Sequence, residues 1–525
     1  MSTSLTRLHD VFDLAMKIGE LMISNGAAAA DVTATMLRVT ASSGIRNVSV
    51  QVTLTEVSVS YLPDSESTPF TRIRSASGYV LNYAKLDACD DIADDYVQGR
   101  IELHDARAAV ERLQARGRHY STLMTTAGWF VLGGACALFF GGSSLVVVFA
   151  AITAALLANL MDVLGKLGLP GFYTQIFGGF FSVLMALLVH WIDPSVNSSL
   201  VVVACIILLL AGLTSVGAIQ DAITGWYVTA AARLLETFVL TIGIVIGIRA
   251  GMLAADLMGA DISITSALPA TLVSVLVIAV ASAVIGFGYS IGVQVPPRLL
   301  VWTTLISAAT GTVSFALGTL GMDRPWAVGL TSIVAGFASV MLAQRLGTPA
   351  MILVAAGVIP MVPGAVIYRG LLALGDDSAN GWSTLFTAAE IAIAISTGII
   401  LGEFLAARLL ARLPQRSASR GPVITAPFST NKRRRMVSLG GRRKPSPVTT
   451  AIPVVHLDPG ELDPTIDWSE GPAWRGDLAN LQPEATDEAE PGTTGSDSVE
   501  PGGAEVNDAG ADAGFSDQSP PSARP

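Results

Sequence analysis

Residues Gly357–Gly370 read GVIPMVPGAVIYRG. Pro360 and Pro363 each lack a backbone donor, and Gly364 tolerates backbone angles that other residues avoid. The run is otherwise apolar and stands among long apolar stretches. A helix broken at membrane depth is tolerated only where it is buried in protein or lines a water-filled cavity. Such breaks turn helix ends and carbonyls toward a bound solute. The stretch therefore predicts a bundle of membrane helices, one of them interrupted.

The surroundings agree. Of 525 residues 51% are apolar and only 14% charged, against about a quarter charged in soluble proteins. A water-soluble enzyme and a wholly disordered chain are both excluded for most of the length. Apolar spans are predicted near Leu123–Phe140, Leu145–Met161, Phe172–Leu188, Leu200–Ala218, Val228–Ile248, Leu268–Ile291, Leu299–Leu320, Trp326–Leu342, Pro349–Met361 and Ile391–Leu410. About 20 helical residues cross the ~30 Å hydrocarbon layer, so most of these suffice. Pro349–Met361 is short and combines with a re-entrant piece, Val362–Ala373.

Counting 152 residues back from Pro363-Gly364 lands on Ala211-Gly212, beside the polar, Gly-containing stretch Thr214–Gly225. Irregular segments thus occupy the fourth place in each set of five spans. An odd number of spans per unit inverts the second unit, so a 5+5 inverted repeat is expected. Two ordinary kinked helices are the simpler alternative.

Bases set the orientation. Arg100, Arg107, Arg112, Arg116 and Arg118 precede the first span. Arg408, Arg412, Arg416, Arg420, Lys432–Arg435 and Arg442–Lys444 follow the last. Both termini are expected in the cytoplasm of a multi-pass protein of the cell (inner) membrane. From Leu457 onward lie 16 acids and 2 bases, a net of −14, which leaves +4 on the remainder. The fold class is accordingly mainly α: about ten transmembrane helices as two five-helix repeats, 119–255 and 256–413. A small N-terminal α+β cytoplasmic domain (1–118) precedes them, and a disordered tail (414–525), basic then acidic, follows.

Within the N-terminal domain, Asp31–Ser42 places Val32, Met36 and Val39 on one helix face, with Gly44 at its end. Asn47–Leu62 alternates through Val48, Val50, Val52 and Leu54, then Val57, Val59 and Tyr61, as strands do. Phe70–Arg74 reads as a further strand, and Val80–Gln98 and Glu102–Arg116 as helices. The acids Asp87, Asp90, Asp91, Asp94 and Asp95 read as a solvated helix face rather than a cation site. Cys89, Cys136 and Cys205 show no CxxC spacing, so neither a disulfide framework nor a zinc site is expected. No Walker loop occurs, and no nucleophile–base motif accompanies His9, His104 or His119. No cofactor, metal or enzymatic activity is expected.

Charges inside a bilayer cost at least ~2.5–3.5 kcal/mol, so the few present are candidates. Arg233 and Glu236, three apart in the fifth span, share a helix face and could pair. A structural ion pair, or Arg233 snorkelling to the interface, is the alternative to a translocation path. Asp221 precedes them. Glu390 and Glu403 read as headgroup-exposed ends of the tenth span, and His190 as interfacial.

The layout resembles the threonine/serine exporter family. The resemblance rests on MISNGAAAADVTATMLRVTASSG (Met22–Gly44), on the strand-like residues and five spans after it, and on GVIPMVPGAVIYRGLLAL (Gly357–Leu374) in the second unit. Asp221, Gly225 and Arg233 match a motif of the first unit, while Ala211-Gly212 stands where Pro-Gly is expected. The resemblance implies proton-coupled antiport, with L-threonine and L-serine exported from the cytoplasm. A zwitterionic hydroxy amino acid needs an acceptor for its ammonium (Asp221 or Glu236), donors for its carboxylate (Arg233 or a helix N-terminus) and a hydroxyl partner (Thr214). Pro363, Gly364 and Tyr368 complete the expected binding set. Asp221, Glu236 and Glu390 are the expected proton carriers. The partners are then the amino acid, protons and membrane lipid, without nucleic acid, and homo-oligomer formation stays open. Export of a dicarboxylate or peptide, a non-transporting membrane scaffold and a membrane-tethered hydrolase are the rival readings.

Overall fold

The computed structural model describes residues 2–45, 47–63, 68–76, 81–209, 212–258, 271–375 and 380–410. Contacts divide the chain into Met1–Thr450 and Ala451–Pro525. The second unit, and with it the tail expected to be disordered, lies outside the described residues.

The N-terminal region is an α+β domain of α1 (Ser2–Ser24), α2 (Ala29–Ser42), β1 (Val48–Val52), β2 (Glu56–Tyr61), β3 (Phe70–Ser75), α3 (Tyr83–Val97) and α4 (Leu103–Ala115). The strands form an antiparallel meander in the order β1-β2-β3, with Val50 opposite Val59 and Val59 opposite Arg72. Phe12, Leu14 and Ile18 of α1 and Val32, Met36 and Val39 of α2 are buried in its core. Phe12 stacks on Phe70 and meets Tyr61 edge-on. Asn47–Leu62 is one alternating run in sequence but a hairpin in space. The Thr53 N–H donates to the Glu56 carbonyl at 2.8 Å, and the Glu56 N–H donates back to Thr53 Oγ1. The three-residue step from Leu54 to Val57, where two would keep the phase, marks that turn.

The helices that follow are α5 (Thr122–Phe139), α6 (Ser144–Lys166), α7 (Gly171–Ile192), α8 (Ser199–Leu209), α9 (Gly212–Ile223) and α10 (Tyr227–Leu257). The second set is α11 (Leu272–Gly292), α12 (Pro297–Thr319), α13 (Arg324–Leu346), α14 (Ala350–Val358), α15 (Gly364–Gly375) and α16 (Asn380–Leu410). Among the described residues eight helices are long and apolar enough to cross a membrane singly. The pair α14 and α15, bent by 47° at the break, meets the same test only when its two helices are taken together. The short 3₁₀ turn Ile359–Met361 occupies that break, where the two prolines cannot continue the helical ladder.

Packing repeats between the two sets. The pairs α5–α6, α7–α10 and α9–α10 recur as α11–α12, α13–α16 and α15–α16, and α6–α8 recurs as α12–α14. The closest approaches repeat too. A Cβ on Gly247 of α10 would collide with the Ile176 carbonyl of α7, and one on Gly402 of α16 with the Ile333 carbonyl of α13. The pair α8/α9 holds the place of α14/α15, and Gly364 packs on Ile207 of α8. The start of α15 therefore packs against α8, while Ala211, half of the pair expected to be irregular, lies outside the described residues.

Buried polar contacts fasten the N-terminal domain to one end of the bundle. Gln294, at a left-handed φ of 63°, shapes the α11–α12 turn. Its side chain accepts from the His119 N–H at 2.6 Å, and its carbonyl from the Ala84 N–H at 2.9 Å. Tyr120 donates to the Val295 carbonyl. Asp87 accepts from Arg298 at 2.6 Å and from Thr348 at 2.7 Å. Asp90 and Asp94 are buried and share Arg38. Asp87, Asp90 and Asp94 are thus not the solvated face that the charge run suggests, whereas Asp91 and Asp95 remain partly exposed. Arg38, Arg298 and Thr348 supply the partners, and they come from other parts of the chain.

Candidate functional site

Where the domain meets the bundle, a cavity of about 280 Å³ opens between α1–α3 on one side and α9, α10, α14 and α16 on the other. The α1–α2 turn is its nearest lip. Gly26 takes φ 98°, which lets the chain reverse so that Ala27 and the first turn of α2 face α9 and α10.

The Asp221 carboxylate of α9 lies 3.1 Å from Arg233 Nη1 of α10, with side-chain exposures of 0% and 5%. The Ala29 N–H, in the first turn of α2, donates to Asp221 Oδ1 at 3.3 Å, and Arg233 Nη2 donates to the Ala27 carbonyl at 3.1 Å. Negative charge at a helix N-terminus and a carbonyl on the guanidinium both compensate burial. This pair fixes the domain on the bundle and leaves Arg233, but not Asp221, on the cavity wall.

Further carboxylates line the cavity: Asp31 from α2, Asp90 from α3 and Glu403 from α16. Asp90 is matched by Arg38. Neither Asp31 nor Glu403 has an ion pair among the described residues. Burial pushes the Asp31 carboxyl up to about 6, with nearby Asp221 adding to the rise and Arg38 opposing it. The floor is Pro349–Met351 at the start of α14, with Val354 and Ala355 one turn deeper. The first backbone N–H groups of a helix have no partner within the helix. Gln220, Thr224, Thr35 and Thr348 supply neutral polar groups to the wall.

The candidates named from sequence separate into three places. Asp221 and Arg233 come together here. Glu236 is exposed on α10 beside exposed Leu235 and Phe238, and Glu390 is exposed on α16. Among the described residues Arg233 makes no ion pair with Glu236; its guanidinium is engaged by Asp221 and the Ala27 carbonyl. Pro363, Gly364 and Tyr368 are buried around the α14–α15 break and do not line this cavity. Thr214 lies in α9, but its side chain falls outside the described residues. Glu403, expected at the headgroups, is buried at 7% exposure, on a helix that packs against α9 and α13 and at a point where it faces the cavity.

Asp31 was missed. It is the sole acid in Met22–Gly44, and Arg38, the sole base, follows it by seven residues, two helical turns on the same face. That pairing of charges in an otherwise neutral segment was the available signal. Among the described residues no group of His, Cys, Asp and Glu is placed to hold a metal ion.

Comparison with known proteins gives a consistent result. The family model described as "Putative threonine/serine exporter" matches residues 13–254, and that described as "Threonine/Serine exporter, ThrE" matches residues 266–405. A "Probable threonine/serine exporter" of Mycobacterium tuberculosis is 32% identical over 409 residues, covering 76% of this chain and 77% of the relative. A "Threonine/serine exporter" of Corynebacterium glutamicum is 28% identical over 418 residues, covering 78% and 84%. No solved structure matches.

Proposed function

The chain belongs to the threonine/serine exporter family, and from that premise we propose that it is a secondary transporter exporting L-threonine and L-serine from the cytoplasm in exchange for protons. The observation that carries the reading is the charge layout of the cavity between domain and bundle. Asp31 and Glu403, neither with an ion pair among the described residues, face it and suit an ammonium. Arg233 and the start of α14 suit the carboxylate of the same molecule. Threonine-sized cargo fits, because about 280 Å³ lies at the lower end of ligand-pocket volumes. A hydroxyl finds Gln220, Thr224 or Thr35 within the same wall. The surplus of acid disfavours a dicarboxylate as cargo.

Protons enter through the same groups. An ammonium and a proton compete for one carboxylate, so a cavity that releases cargo takes up a proton, and the reverse. Asp31 suits that exchange because its carboxyl titrates near 6. Asp221 holds the domain in place rather than shuttling. On this reading the domain supplies half of the cargo site, its face of the membrane is cytoplasmic, and the chain is organised as 1–118, 119–255, 256–413 and 414–525.

Proteoliposomes containing the full chain provide the test. Uptake of threonine and serine, stimulated by an opposing pH gradient and competed by neither succinate nor a dipeptide, is the expected outcome. Uptake of none of these, or of succinate alone, contradicts the proposal.

A further inference from the structure

A second cavity, of about 520 Å³, lies between α5, α11, α12, α13 and α15. It opens at the opposite end of the bundle. The start of α12 is tied to the domain through Arg298 and Asp87, so the end of α12 is at the far end. The chain returns along α13 from Arg324 to Thr348, which again touches Asp87. The cavity is walled by the last turns of α12 and the first turn of α13. Two guanidiniums, Arg324 of α13 and Arg369 of α15, stand on its wall, together with Ser314 and Thr319.

The two cavities approach each other along one helix. The first reaches Ala355 on α14, and the second begins at Pro360. Four residues, Ala356–Ile359, intervene, a rise of about 7.5 Å from Ala355 to Pro360. That interval is closed by close packing. Gly357 lies against Ile306, Thr310 donates to the Gly357 carbonyl, and Gly311 lies against Ser282 and Pro360. Beyond it the chain is interrupted at Ile359–Pro363. Pro360 cannot donate to the Ala356 carbonyl, so this segment is held less by its own ladder than by its neighbours.

We propose that the far cavity is a second cargo site on the exit side, where Arg324 and Arg369 hold the carboxylate of the amino acid, and that the Gly357–Pro363 segment is the barrier between the two sites. The proposal rests on the transporter reading above. The division of labour follows from the charges. The domain-side cavity offers acids to the ammonium, and the far cavity offers bases to the carboxylate. A zwitterion passing the barrier exchanges one hold for the other. The same guanidiniums would also suit a phosphate of an anionic lipid, and the test must separate the two.

Ser314→Cys places a thiol on the far cavity wall, and Cys89, Cys136 and Cys205 are all buried, so an aqueous thiol reagent reports the introduced site. The full chain is reconstituted in neutral phosphatidylcholine liposomes and labelled with a neutral, membrane-impermeant methanethiosulfonate. Near-saturating L-threonine is expected to slow labelling by about tenfold. Threoninol, which lacks the carboxylate, is expected not to slow it. Adding Arg369→Gln should remove the protection, read as the ratio of labelling rates with and without threonine in that variant, and continued labelling without threonine shows that the cavity is still formed. Arg369→Lys should keep part of it. Equal protection by threoninol, no protection by threonine, or protection by added phosphatidylglycerol in place of threonine would each overturn the proposal. Threonine flux through the unaltered chain is measured in parallel. Flux without protection defeats only the exit site, whereas absence of flux defeats the transporter reading.

Discussion

Asp221 and Arg233 form a buried ion pair 3.1 Å apart, and each is also bonded to the backbone of the α1–α2 turn, through Ala29 and Ala27. Two helices of the bundle and the entry to α2 are thus held at one point. The pair explains why an N-terminal domain and a set of membrane helices form one compact unit around a shared cavity.

Breaking this pair from one side leaves a buried charge without compensation. Asp221→Asn is expected to destabilise the protein by about 3–5 kcal/mol, read as a fall in thermal midpoint in detergent. Asp221→Asn with Arg233→Met should recover much of the loss, because the orphaned guanidinium is gone. A double variant as unstable as the single one would show that packing, not charge, holds the junction.

Asp31 gives the cavity a pH signature. Its carboxyl in the folded chain titrates at about 6, above the ordinary value of 3.8. The folded state therefore holds this proton more tightly than the unfolded state does. Its contribution to stability is full below about pH 4, falls as the pH rises toward 6 and is level above that. Cargo affinity has the opposite sense, because only ionised Asp31 attracts an ammonium. The KM for threonine on the domain side should fall as the pH rises through about 6, with Arg38, Arg233, Asp221 and Glu403 as the surrounding charges. Asp31→Asn should remove that inflection and hold KM at its low-pH level. An inflection that survives in Asp31→Asn assigns it to another group.

The repeat predicts paired sensitivity. Gly247→Val and Gly402→Val each push a side chain into the backbone of a facing helix, α7 or α13. Overpacking of that kind costs about 1–3 kcal/mol or more. Both variants should lose monodisperse protein to a similar extent on size exclusion. Gly318→Val, where a Cβ meets nothing nearby, should behave like the unaltered chain.

Helix content, the α+β start and the break at Pro360–Pro363 were legible because each leaves a local mark: apolar runs, alternation, missing donors. The hairpin at Thr53 left only a phase slip. The site was harder to read, since its charges come from segments more than 350 residues apart, such as Asp31 and Glu403. Spacing on one helix suggested Arg233 with Glu236. Only the fold shows that Asp221, 12 residues away across the α9–α10 turn, reaches the same guanidinium. The acids of α3 looked like solvated charge for the same reason, because Arg38, Arg298 and Thr348 are remote in sequence. Polarity of a residue is written locally, but its partner is not.

Cargo held between domain and bundle, as proposed, engages Asp31, Glu403 and Arg233. Equilibrium binding of radiolabelled threonine to the purified full chain tests that engagement most directly, comparing Glu403→Gln with Glu236→Gln. Loss of a charge-assisted contact should weaken binding in Glu403→Gln by about tenfold or more, and exposed Glu236→Gln should bind as the unaltered chain does. Undiminished binding in Glu403→Gln alongside a loss in Glu236→Gln would contradict the account and move the site to the outer face of α10.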